Sequence, residues 1–332
     1  MPGSSPPMPH PVNAPSRRAA AAPPAPVPSP LPTTSRRLLA GGLLLAAVGA
    51  IAASGKAVIV KLAYRHGADA TTLLALRMLV ALPFFVAMGA WAARRAQPLS
   101  RGDLWRVAGL GFSGYYLSSY LDFLGLQYIS ATLERLILYL SPTLVVLIAL
   151  VVLRQRPTRL QVAALLVSYL GVLLAFGHDI QLDGRRTLIG SALVFASALS
   201  YAVYLFGSGQ AVARIGAVRL TAYASTVACV LCIGQYLLLQ PLVALGKQPA
   251  PVYWLSLLNG TVCTVLPVLA IMVGVKRIGS SLAAQVSMLG PVSTIVLSVW
   301  LLDEPMGPWQ TAGTVLVLLG VLLVGSGVAR KR

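Results

Sequence analysis

The chain has 332 residues, 57% of them hydrophobic and only 10% charged, far below the roughly one quarter of charged residues usual in soluble globular domains. A net charge of +18 would suit nucleic acid if Lys and Arg clustered on a soluble face among stacking aromatics; here they lie in short runs between long apolar stretches. Composition therefore excludes a nucleic-acid-binding module and indicates an all-α polytopic membrane protein whose main solvent is the lipid bilayer.

From Pro2 to Pro32 the chain is dense in Pro, Ala and Ser, which predicts a disordered cytoplasmic tail over 1–35. Ser35-Arg36-Arg37-Leu38-Leu39 resembles a twin-arginine export signal, but so many apolar segments follow that it reads as the start of a first transmembrane helix. A spanning helix needs about 20 mostly apolar residues. Ten segments qualify: 38–63, 70–92, 106–126, 131–153, 160–177, 188–210, 220–245, 252–275, 279–302 and 308–328. Turns such as Arg65-His66-Gly67-Ala68-Asp69, Gln97-Pro98-Leu99-Ser100 and Gly177-His178-Asp179 separate them. With the N-terminus inside, eighteen of the 26 basic residues fall at one end of the spans and only Lys61, Arg65, Arg185, Arg186 and Lys247 at the other. Lys and Arg favour the cytoplasmic side, so both termini are expected there, in a bacterial inner membrane.

An offset of 149 residues aligns Gly41 with Gly190, Gly67 with Gly216, Gly111 with Gly260, Gly125 with Gly274, Pro142 with Pro291, Gln161 with Gln310 and Gly171 with Gly320. The halves are expected at 36–178 and 187–328, each with five spans. An odd number of spans makes the repeat inverted, giving ten transmembrane helices as a five-plus-five pair. Inner Arg154-Gln155 aligns with outer Asp303-Glu304, so position is kept while charge is switched; Arg185-Arg186 is the local exception. Two rocking bundles around a midplane site would give alternating access.

Ionisable groups in hydrocarbon are costly and each needs a reason. Five occur within spans, all in the first half: Lys56, Arg77, Asp122, Glu134 and Arg135; their partners at the offset are Leu205, Thr226, Ile271, Ala283 and Ala284. Three cations face two carboxylates, so one cation could meet an anionic group of a solute, a carboxylate could carry a proton, or the set could form an outer gate. Glu134 and Arg135 are about 100° apart on a helix, so both need not face one cavity. Polar stripes add Tyr115, Ser119 and Asp122 in span 3, Ser197, Tyr201, Tyr204 and Ser208 in span 6, and Ser281, Gln285 and Met288 in span 9. Of these, Tyr115, Tyr201, Tyr204 and Gln285 are the expected cavity-lining residues, and the serines are expected to pack helices. Pro142, Pro267 and Pro291 interrupt spans and could serve as hinges.

Cys229 and Cys232 have CxxC spacing, but no His or second CxxC completes a ligand set, so no metal or cofactor is expected. His10, His66 and His178 lie in the tail and outer loops, and no nucleophile with a base is visible, which argues against an intramembrane enzyme. A channel is the other alternative, although no symmetric pore motif is found.

Gly125-Leu-Gln-Tyr-Ile-Ser-Ala-Thr-Leu-Glu134, continuing through Leu140-Ser-Pro-Thr-Leu144 to Leu153-Arg-Gln-Arg156, resembles the EamA-type drug/metabolite transporter superfamily. Ile278-Gly-Ser-Ser-Leu282, Leu289-Gly-Pro291 and Leu301-Leu-Asp-Glu-Pro305 resemble that family's second repeat. The resemblance covers about residues 38 to 328. It implies ten helices, an inverted duplication and secondary transport of a small organic solute or metabolite, often as efflux. Expected partners are that solute, the bilayer and protons, with a homodimer also open.

Overall fold

The structure is a computed structural model; it describes residues 33–329 except 95, 153, 155–157, 183, 288 and 305, and leaves out the side chains of 33–38, 176–182, 279–282, 284, 285, 321 and 324–329. The tail over 1–32 and the side chains of His178, Asp179, Ser281 and Gln285 lie outside the described residues. Among those described there is no strand. The helices are α1 (Thr33–Arg65), α2 (Ala70–Ala93), α3 (Arg101–Gly111), α4 (Ser118–Gly125), α5 (Ala131–Leu138), α6 (Ser141–Val152), α7 (Arg159–Leu182), α8 (Gly184–Ile215), α9 (Ala217–Leu239), α10 (Leu242–Leu245), α11 (Ala250–Gly260), α12 (Leu266–Ser287), α13 (Leu289–Leu302) and α14 (Pro308–Ala329). Two π-helical turns, Phe112–Leu117 and Thr261–Val265, join α3 to α4 and α11 to α12.

Six helical stretches are long and apolar enough to cross a bilayer, with Arg159–Ala175 and Leu289–Leu302 as shorter apolar helices. The described residues thus do not show ten uniform spans; apart from that count, individual segments are interrupted or shifted for local reasons. Pro142 cannot donate to the carbonyl four residues back, so the fourth segment divides into α5 and α6; the Ser141 hydroxyl donates to that carbonyl, Leu138 O, at 2.6 Å. Pro241 restricts Gln240 to extended backbone, ending α9 at Leu239 where the sequence predicts helix to 245. Between α7 and α8 the expected turn at Gly177-His178-Asp179 is helical, and α7 continues to Leu182.

The outer surface is apolar, carrying exposed Leu44, Phe84, Leu166, Val230, Leu238 and Val296. A patch this extensive needs lipid rather than water against it. All five tryptophans are exposed and sit near helix ends: Trp91 and Trp105 at the end holding Arg94, Trp254, Trp300 and Trp309 at the end holding Arg65. That is the placement of interfacial aromatic belts.

Helix contacts reproduce the 149-residue repeat. Gly171 packs on Gly313 and Val317, and its counterpart Gly320 packs on Ala164 and Ser168, so α7 and α14 run antiparallel about a shared axis. Gly274 packs on Ala46 and Gly42, and its counterpart Gly125 packs on Val194 and Gly190. Helices α2 and α9 are also antiparallel, since Gly89 meets Tyr223 while Asp69 meets Gln240. An antiparallel helix and repeat mate are what a two-fold axis in the membrane plane produces.

Contacts with α1 also locate a reversal that backbone hydrogen bonding conceals. Ile278 lies beside Gly42, yet Gly290 lies beside Ser54, and Arg65 Nη2 donates to Leu302 O. The chain descends along α1 as far as Ile278 and climbs again from Gly290, so the eighth and ninth segments point in opposite directions although α12 is helical to Ser287. Gly-Ser sequence at 279–281 suits a sharp bend.

Asp69 caps α2, accepting from Thr71 N at 3.1 Å and Thr72 N at 3.3 Å as well as from both threonine hydroxyls. Burial pushes its carboxyl up, but these hydrogen bonds outweigh burial and hold it below the ordinary carboxylate value. A depressed folded pKa contributes stability above the unfolded value of about 4 and loses it as pH falls through the folded one. Asp69→Ala is therefore expected to cost about 1 kcal/mol near neutral pH. Thermal unfolding of the two proteins should converge in acid.

Candidate functional site

The five ionisable residues expected from the sequence come from α1, α2, α4 and α5. Lys56 stands between the two carboxylates, with Nζ 2.6 Å from Asp122 Oδ2 and 3.6 Å from Glu134 Oε1. Arg135 Nε lies 3.9 Å from Glu134 Oε2, and its Nη2 donates to Ser54 O at 3.3 Å. Arg77 stands apart: its Nε donates to Thr264 Oγ1 at 2.8 Å, and its guanidinium lies 5.3 Å from the centroid of the Phe123 ring. Asp122 and Glu134 are almost wholly buried, so in this apolar setting the cations are what keep them tolerable.

These groups border a cavity of about 420 Å³ in the middle of the bundle, lined by Lys56, Arg77, Asp122 and Arg135 with Tyr115, Tyr139 and Tyr201. That volume lies in the range of small-molecule sites. Both halves contribute equivalent positions: Tyr115 with Thr264, Gly114 with Cys263, and Lys56 with Leu205 all line it at the 149-residue offset.

The π-helical turns bring the first two of these pairs to the cavity. Each follows an aligned glycine whose added Cβ would collide with a neighbouring backbone, 2.6 Å from Ala224 O at Gly111 and 2.9 Å from Arg77 O at Gly260. The wider turn shifts the ladder by one residue, so Ser118 N bonds Ser113 O and Leu266 N bonds Thr261 O. In the second turn Thr264 Oγ1 donates to Asn259 O at 2.7 Å, which leaves its lone pairs for Arg77. Gly114 has no room for a side chain because Tyr204 packs on it, and Tyr204 OH lies 3.1 Å from Tyr115 OH.

Of the residues expected to form the site, Lys56, Arg77, Tyr115, Asp122, Arg135 and Tyr201 line the cavity. Glu134 is absent from the lining and lies within ion-pair distance of Lys56 and Arg135, and Tyr204, also absent from it, lies beside Tyr115. Gln285 falls outside the described side chains. Ser118 and Ser197 bond one another across helices at 3.1 Å, but Ser119 and Ser197, expected to pack helices, also line the cavity. Sequence reading missed Thr264, Tyr139 and Phe85. Thr264 was accessible in principle, being the repeat mate of Tyr115; Tyr139 and Phe85 carry no distinguishing pattern.

At the Arg65 end the halves are tied. Glu304 accepts from Ala131 N at 2.8 Å and Thr132 N at 3.2 Å, placing its carboxylate at the N-terminus of α5. Lys61 Nζ donates to Ile129 O at 2.8 Å. Toward the other end, a second apolar groove of about 450 Å³ shares Phe85 and Val268 with the central cavity and reaches Lys276. There Arg214 Nη2 approaches Asp103 Oδ1 at 3.4 Å, at the surface.

The model of the EamA-like transporter family matches twice, over residues 40–177 and 188–326. The chain is 31% identical over 281 residues to the uncharacterized transporter YcbK of Bacillus subtilis (strain 168), covering 83% of this chain and 90% of that one. It is 30% identical over 224 residues to the uncharacterized transporter YyaM of the same strain, covering 67% and 72%. An uncharacterized transporter of Archaeoglobus fulgidus is 25% identical over 285 residues, covering 84% and 96%. A solved crystal structure superposes with a TM-score of 0.58 at 18% identity, covering 85% of this chain and 97% of the other, which is a likeness of fold.

Proposed function

Because the chain belongs to the EamA-like transporter family, we propose that it is a secondary transporter that exports a small organic solute by alternating access through the central cavity. In this reading the chain crosses the bilayer ten times, five in each half, with the Arg94 end and both termini in the cytoplasm. The observation that carries it is a single cavity walled by equivalent residues of both halves, Tyr115 with Thr264 and Lys56 with Leu205. A site shared by inverted halves can be opened to either side by rocking one against the other. Hydrogen bonds from Lys61 and Arg65 and to Glu304 tie the outer end around a pocket of about 650 Å³, while the groove shared at Phe85 and Val268 leads toward Lys276 on the basic side. In the proposed cycle this arrangement serves as the inward-facing state, from which an exporter loads.

Purified protein in liposomes tests the class: saturable solute counterflow supports a carrier, and solute-independent conductance, as from a channel, contradicts it. Two carboxylates around one ammonium also form a set in which either can hold a proton while the other stays paired. Proton-coupled transport is accordingly expected, with a pH dependence that Asp122→Asn or Glu134→Gln flattens. Transport that responds to pH identically in wild type and both variants would exclude these carboxylates as the proton carriers.

A further inference from the structure

The cations of the cavity are unequally engaged. Lys56 is held by Asp122 and Glu134, and Arg135 by Glu134 and the Ser54 carbonyl. Arg77 lines the same cavity and is only 8% exposed, yet among the described residues it meets no carboxylate. Its one hydrogen bond goes to the neutral Thr264 hydroxyl, and its Nη1 is buried with no partner. A buried guanidinium has five donors in a planar fork whose natural complement is a carboxylate accepting two of them side by side. Thr264, itself bonded to Asn259 O in the π-helical turn, fixes the Nε edge and leaves the Nη edge to an incoming group.

The balance of charge agrees. Cations outnumber carboxylates three to two around the cavity, and a proton on either carboxylate would only widen that excess. A solute with one negative charge neutralises the set; a cationic solute would enter against it. The same cavity is walled elsewhere by apolar and aromatic side chains, among them Phe85, Tyr115 and Tyr139.

We propose that the cavity binds small organic monoanions, with the solute's carboxylate paired to Arg77 and its apolar body against Phe85, Tyr115 and Tyr139. The proposal rests on the transporter reading and adds the charge class of its solute.

The test uses the full-length protein in detergent and three ligands of one shape, phenylacetate, its neutral amide and phenethylamine, with sodium chloride as the ionic-strength control. Phenylacetate is expected to raise the melting temperature in a saturable way, and the amide, the amine and the salt are not. Arg77→Gln should abolish the shift, Arg77→Lys should retain part of it, and Thr264→Val, which frees the guanidinium to turn, should weaken apparent affinity about tenfold. The melting curve of each unliganded variant shows whether it is folded. Should Arg77→Gln not fold, Thr264→Val decides: a wild-type response there contradicts the proposal. Equal stabilisation by amide or amine overturns it, as does no response to phenylacetate and to a second carboxylate, octanoate. Saturable counterflow of an amine instead of an acid would remove the anion assignment and leave the carrier standing, whereas conductance without counterflow would remove the carrier itself.

Discussion

Lys56→Met is expected to destabilise the folded chain by about 3–5 kcal/mol and to abolish transport, because it strands two buried carboxylates with one remote cation between them. The ammonium stands 2.6 Å from Asp122 and 3.6 Å from Glu134, and Glu134 is wholly buried. Without it, the nearest positive group to Glu134 is Arg135 at 3.9 Å, and Asp122 keeps none at ion-pair distance among the described residues. The folded state must then leave Asp122 unpaired or take up a proton. The penalty belongs to the uncompensated charge more than to the lost contact, and this gives the prediction its second half. Adding Asp122→Asn to Lys56→Met should restore most of the stability, while transport stays lost. Chemical denaturation of the three variants checks it; a double variant as unstable as Lys56→Met would show that packing around the lysine stem, not charge, is what matters.

The second large effect lies away from the site, where α7 and α14 cross. A Cβ on Gly171 would come within 2.6 Å of Gly313 O and 2.8 Å of Val317 N, and one on Gly320 within 2.8 Å of Ser168 N and 2.9 Å of Ala164 O. These obstacles are backbone atoms, which cannot rotate away as a side chain can. Gly171→Val and Gly320→Val should therefore each force the helices apart, at about 3 kcal/mol, the upper part of the range for overpacking. The two positions are repeat mates, so the two penalties should match to within about 1 kcal/mol. Unequal losses in thermal unfolding would mean that the two-fold relation at this crossing does not extend to its energetics.

These two sites differ in how far the sequence reveals them. The glycines were legible: matching Gly171 to Gly320 at the common offset marks positions that must stay small in both halves, and the structure brings both to one interface. The same offset aligns Phe112–Leu117 with Thr261–Val265, although nothing in periodicity shows that both stretches adopt a π-helical turn. The five membrane-embedded charges were legible as a group, because an ionised side chain among apolar residues stands out without knowledge of the fold. Their partners were not. Whether Lys56 or Arg77 meets Asp122 depends on helix rotation, and Arg77 finds its hydroxyl partner 187 positions away. Glu134 follows the same logic: the 100° spacing left open which of it and Arg135 faces the cavity, and packing of α5 placed Arg135 there. Turns were the weakest part. Pro142 marked an interrupted span, but Pro241 was read through as part of a span to 245, and the reversal between Ile278 and Gly290 shows only in contacts with α1.

In the proposed cycle, one cavity between two inverted halves opens to each side of the membrane in turn. A single cysteine at Ser119, which lines the cavity, in a chain whose Cys229, Cys232 and Cys263 are replaced, tests it most directly. In sealed vesicles of known orientation, a membrane-impermeant maleimide should label this cysteine from either side, with solute shifting the ratio of the two rates. Labelling confined to one side, unchanged by any solute that the protein binds, would contradict alternating access through this cavity.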